Sequence, residues 1–101
     1  MDKVASILEK LETYKPQKVI VFGSYVRGEA DEYSDLDFVV IKDTEKRFLE
    51  RLIEVAKVVG TEFGRVDIFV YTPEEFKMMK ESGNPFIENV VREGREIYEI
   101  E

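Results

Sequence analysis

The sequence predicts an α/β (α+β) domain, a small mixed β-sheet flanked by helices. Three observations carry that prediction. Short, unbroken apolar runs at residues 19–22, 38–41 and 68–71 have the β-branched and aromatic content of buried strands. Around them lie segments whose apolar residues recur at helical spacing. Cap and turn residues separate the two kinds of segment. The 101 residues suffice for one domain, 1–101, and leave no room for a second.

Each element follows in order. Val4, Ile7, Leu8 and Leu11 form an amphipathic stripe, with Asp2 as its N-cap and Pro16 as its stop. Val19-Ile20-Val21-Phe22 reads as a strand buried on both faces, ending at Gly23-Ser24. Residues 24–34 carry the turn signals Gly28 and Asp31 and read as a helical turn plus a loop. A second strand runs from Leu36 to Ile41. Residues 44–59 read as a helix with Phe48, Leu49, Leu52, Ile53, Ala56 and Val59 on its apolar stripe and Gly60 at its C-terminus. The third strand is Val66 to Tyr71. Thr72-Pro73-Glu74-Glu75 then starts a helix with a Thr cap, a proline in the first turn and a capping box. Asn84-Pro85 repeats the start signal for a last helix that Gly94 ends, and residues 96–100 read as a short edge strand.

Composition narrows the chemistry. With no cysteine there is no disulfide framework or thiolate metal site, and with no histidine the commonest general base and zinc ligand are missing. Any reaction must use carboxylates, hydroxyls, lysine, arginine and hard, oxygen-seeking metals. A net charge of −7 argues against strong nucleic-acid binding, which needs a basic face. Lys46, Arg47 and Arg51 sit among Glu45, Glu50 and Glu54 and read as a solvated helix face. The Glu- and Lys-rich charge content leans toward thermophile compositions. No run approaches a membrane span and the first residues lack the apolar core of a signal peptide, so the expected location is cytoplasmic.

The acids are the informative residues. Asp35 and Asp37, two apart at the mouth of an apolar strand, point to one face of the sheet. Asp67 opens the third strand in the same way. If those strands are neighbours, three carboxylates converge, and at least one pKa rises in the absence of a counter-charge. Two Mg²⁺ ions would neutralise such a cluster. Taken singly, Asp35 is also compatible with a turn cap and Asp67 with a solvated strand end. Gly23, directly after a buried strand, lets backbone amides approach an anion, and Ser24 adds a hydroxyl at the start of a helical turn. Arg27 can counter phosphate charge or pair with Glu29 or Asp31.

The string GSYVRGEADEYSDLDFVV, residues 23–40, resembles the signature of the minimal nucleotidyltransferase branch of the polymerase β-like nucleotidyltransferase superfamily. Gly-Ser, paired aspartates and a later strand-borne aspartate all match; Val26 stands where alanine is usual and Phe38 where leucine is. The resemblance covers nearly the whole chain and implies the palm-like nucleotidyltransferase fold. It also implies that Gly23 and Ser24 hold a nucleotide triphosphate, that Asp35 and Asp37 bridge two Mg²⁺, and that Asp67 completes the first metal site. The implied reaction moves a nucleoside monophosphate from a nucleotide to a hydroxyl and releases pyrophosphate, a chemistry of positioning and charge neutralisation.

The same resemblance implies a partner. This branch typically accompanies a HEPN-domain ribonuclease toxin, and its members act as antitoxins by transferring AMP from ATP to a tyrosine of that toxin. Two other readings stay open: a catalytically inactive antitoxin that only occludes its partner, and a nucleotidyltransferase acting on RNA or a small molecule. Oligomerisation is compatible with all three. Tyr25, Tyr33, Tyr71 and Tyr98 read mainly as packing aromatics, and Met78-Met79 as core or an adaptable contact surface. Phe86, Val90 and Val91 either pack on the sheet or meet a partner.

Overall fold

A computed structural model describes residues 3–23 and 36–100 of the chain. Its elements run α1 (Lys3–Glu12), β1 (Lys18–Phe22), β2 (Leu36–Ile41), α2 (Phe48–Val59), β3 (Val66–Tyr71), α3 (Pro73–Glu81), α4 (Pro85–Glu93) and β4 (Arg95–Glu99). The four strands form one sheet in the order β3-β2-β1-β4. The β1–β2 and β1–β4 pairs are antiparallel and the β2–β3 pair is parallel, so the sheet is mixed. Parallel β2 and β3 need a crossover, which α2 supplies.

Strand alternation divides the core into two layers. Val19 and Val21 of β1, Phe38 and Val40 of β2 and Val70 of β3 pack with Val4, Ile7 and Leu11 of α1 and Val55 and Val59 of α2. On the other face Ile20, Val39 and Ile41 pack with Val90, supported by Phe22, Tyr71, Phe76 and Phe86. The central strands are thus apolar on both faces, as their unbroken runs require.

The helix signals operate as written. Thr72 accepts from the amide of Glu75 at 3.1 Å while the Glu75 carboxylate accepts from the Thr72 amide at 2.8 Å, a complete capping box behind Pro73. Asn84 Oδ1 accepts from the amides of Phe86 and Ile87 and starts α4. Gly60 closes α2 with φ of 78°. The N-cap expected at Asp2 and the turn expected over residues 24–34 lie outside the described residues.

One helix departs from expectation. α2 starts at Phe48 rather than at residue 44, because Thr44 Oγ1 accepts from the Lys46 amide at 3.2 Å and holds that segment in a local turn. Its buried face is also rotated from the expected stripe. Arg51, Val55 and Val59 face inward, whereas Leu49 is 71% exposed and Ile53 57%. Arg51 is therefore no part of a solvated face. It is 6% exposed, and its guanidinium donates to Glu75 Oε1 at 2.6 Å, to Glu75 Oε2 at 3.3 Å and to the Val70 carbonyl at 3.3 Å. One cation thereby ties α2, β3 and the first turn of α3 together.

The aromatic and methionine expectations resolve individually. Tyr98 packs against the first core layer and Tyr71 stacks on Phe48 with centroids 5.7 Å apart. Phe86 and Val90 pack on the sheet, while Val91 is exposed. Met78 is 68% exposed and Met79 half-buried, so neither is core. Tyr25 and Tyr33 lie outside the described residues.

Candidate functional site

The end of the sheet where β1 leaves and β2 and β3 enter collects Gly23, Asp37 and Asp67. β1 delivers Gly23 one residue past its last paired position, Phe22, which sits opposite Asp37 in the antiparallel register. β2 and β3 run parallel, and Asp37 and Asp67 are register partners. Partners in neighbouring strands project their side chains to the same face. Two carboxylates therefore stand side by side on the face that also carries α3 and α4. Asp37 is half-buried and Asp67 is exposed at the sheet edge.

Gly23 has a stereochemical reason to be there. Its φ of 95° lies in the left-handed region that glycine tolerates best. A Cβ at that position would stand 2.6 Å from Asp37 Oδ2. The chain thus brings a bare backbone against a carboxylate, where any side chain would collide with it.

Beneath the carboxylates lies an aromatic layer that sequence reasoning passed over. Phe22 and Phe69 both meet Phe86 of α4 edge to face, with centroids 5.4 Å and 5.3 Å apart. Phe69 lies two residues beyond Asp67 and so shares its face. That spacing was the available signal. The layer couples the strand ends that carry Gly23 and Asp67 to one helix.

A groove of about 290 Å³ runs from α2 to the β3 edge and reaches Asp67; it is otherwise lined by Leu52, Val55, Ala56, Val59, Val66, Ile68 and Phe69 with Gly60 and Gly64. Of the sequence-selected site residues, Gly23, Asp37 and Asp67 are thus brought to one sheet end. Ser24, Arg27 and Asp35 lie outside the described residues. Among the described residues no group of three acids or other metal-ligating side chains converges, and the two aspartates are what this end offers a cation. Their oxygens are hard donors of the kind magnesium takes. No helix among the described residues is long and apolar enough to cross a membrane.

Comparison with known proteins follows the same lines. Residues 1–98 match the family described as nucleotidyltransferase domain. A candidate protein adenylyltransferase of Methanocaldococcus jannaschii is 32% identical over 82 residues, covering 81% of this chain and 78% of the relative. Among solved structures, a toxin–antitoxin crystallised with AMP-PNP superposes with a TM-score of 0.70 at 19% identity, over 100% of this chain and 76% of that one. A candidate minimal nucleotidyltransferase superposes with a TM-score of 0.52 at 25% identity, over 94% and 95% of the two chains.

Proposed function

The chain belongs to the nucleotidyltransferase domain family, and from that premise we propose that it transfers AMP from ATP to a tyrosine hydroxyl of a HEPN-domain toxin and so acts as its antitoxin in the cytoplasm. The observation that carries the reading is the register pairing of Asp37 with Asp67 beside the bare backbone of Gly23. Adjacent carboxylates at a strand end, next to a glycine that admits an anion, suit a metal-held triphosphate and little else available to a chain without histidine or cysteine. The adenylyltransferase relative supports transfer to a protein, and the neighbour bound to AMP-PNP supports an adenine nucleotide and a toxin partner.

In this mechanism Asp35, Asp37 and Asp67 would hold two magnesium ions. When bound, these ions supply charge neutralisation at the phosphates and acidify the acceptor hydroxyl. The chain's own residues do the rest. Gly23 and Ser24 would hold the triphosphate, Ser24 through its hydroxyl, and Arg27 would counter phosphate charge. Asp67, exposed at the sheet edge, receives the proton of the incoming hydroxyl. The acceptor oxygen forms a bond to the α-phosphorus as the bond from that phosphorus to the bridging oxygen breaks, and pyrophosphate leaves with the bonding pair. Phe22, Phe69 and Phe86 hold the strand ends in register.

Calorimetry with ATP and Mg²⁺, separately and together, tests the nucleotide site without any partner. Metal-dependent ATP binding that Asp37→Asn loses is the expected result. The partner is then tested by mass spectrometry, which should find one added AMP on a tyrosine of the co-expressed toxin. Absence of nucleotide binding under every combination would overturn the enzymatic reading in favour of an antitoxin that only occludes its partner.

A further inference from the structure

The two edges of the sheet are built differently. β4 reads REIYE, with Arg95, Glu96 and Glu99 among five residues, and such charges discourage pairing with another strand. β3 reads VDIFVY, whose one charge, Asp67, stands near its start. Among the described residues no strand pairs with its outer edge, which is a template for a further strand.

The helix above that edge is also uncovered. Leu49, Ile53 and Ala56 are exposed and spaced four and three residues apart, so they form one stripe on α2. At about 100° per residue the stripe adjoins Leu52 and Val59, which line the groove against β3. Stripe, groove and strand edge make one continuous surface, apolar but for Asp67 at the end of the groove. Glu50 and Lys57 border it, seven residues and therefore two turns apart on the same side.

We propose that a second copy of this chain covers this surface, β3 pairing antiparallel with β3 and α2 packing on α2 across a two-fold axis. Charge complementarity selects that occupant. Two copies of a chain with net charge −7 repel through an average face. On α2 this face carries Glu50 and Lys57, and in an antiparallel helix pair Glu50 of each copy meets Lys57 of the other, while Asp67 stands at the end of the groove. A polyanion finds no basic patch on this face. Pairing through residues 68–71 leaves Asp67 at the margin, on the face carrying α3 and α4. The dimer is read without nucleotide or metal, so its failure would leave the functional reading untouched.

Sedimentation velocity of the whole chain, up to about 500 μM, reads the outcome directly. The native chain should show a concentration-dependent dimer. Leu49→Glu with Ile53→Glu, both at exposed positions, should weaken association at least ~100-fold while circular dichroism, and the melting curve at concentrations where both chains are monomeric, stay unchanged. Glu50→Lys alone should weaken the dimer, and adding Lys57→Glu should restore it. A native chain that stays monomeric throughout would overturn the proposal and leave the face to a different protein. A dimer that survives the Leu49/Ile53 variant undiminished would overturn it too, since association would then use another surface.

Discussion

Oδ2 of Asp37 lies 2.6 Å from the point where a Cβ on Gly23 would stand. The carboxylate is thus packed against the backbone of the preceding strand's exit, in the space a side chain on Gly23 would need.

Gly23→Ala should therefore damage both stability and activity. The φ of 95° is strained for alanine, and the new methyl group must push the Asp37 carboxylate aside. A loss of about 1–3 kcal/mol is expected in chemical denaturation. Nucleotide affinity should fall further than stability does, because displaced Oδ2 belongs to the proposed metal site. An alanine variant that binds ATP and magnesium normally would separate Gly23 from the site.

The aspartates should show themselves in thermal shift. Anything that binds the native state alone raises the melting temperature, by about 2.7 kcal/mol of stabilisation at a hundredfold excess over Kd. Mg²⁺ with a non-hydrolysable ATP analogue should raise the midpoint of the native chain by several degrees. Asp37→Asn and Asp67→Asn should each abolish most of that rise. A rise that persists in both variants would place the nucleotide elsewhere.

Much of this was legible from local sequence, and the exceptions have physical causes. The strand at Leu36–Ile41 and the starts at Thr72 and Asn84 depend on runs and caps that need no tertiary information. The adjacency of Asp37 and Asp67 was only conditional, since strand order is a tertiary property that no single strand encodes. The buried face of α2 was misread because its hydrophobic residues cover more than half its circumference. Periodicity then cannot say which part faces inward, and burial of Arg51 was decided by a carboxylate 24 residues away. The aromatic layer under the acids was missed because Phe86 arrives from a distant helix.

Arg51 should prove a stability determinant that acid weakens. Arg51→Ala removes both donors to Glu75 and leaves the Val70 carbonyl without that partner, at a cost of about 2–3 kcal/mol. Arg51→Met, which fills the space, should cost less. The Glu75 carboxyl is held below its ordinary value, chiefly by the hydrogen bond from Arg51. A depressed carboxylate contributes stability that is present above its unfolded pKa and is lost as pH falls through the folded one. Urea denaturation from pH 7 to pH 3 should therefore show a steeper acid decline in the native chain than in Arg51→Met. Parallel curves would mean that the pair contributes packing alone.

Tyr14 sets the corresponding alkaline limit. Its ring is buried, its hydroxyl donates to Glu54 Oε1 at 3.3 Å, and Lys42 Nζ sits 3.6 Å from the ring centroid while donating to the Tyr14 carbonyl. Burial first, and the Glu54 charge second, push the phenol up from its ordinary 10 to about 12. The unfolded chain thus releases this proton earlier than the folded one. The stability involved is fully present below pH 10 and is lost as pH rises toward 12, at up to about 1.4 kcal/mol per pH unit. Tyr14→Phe gives up the hydrogen bond, worth about 1 kcal/mol at neutral pH, but has no phenol to ionise. Denaturation curves of the two proteins should therefore converge above pH 10 and cross before pH 12. A constant gap across that range would mean that Tyr14 ionises equally easily in the folded and unfolded chains, and that its burial does not oppose the phenolate.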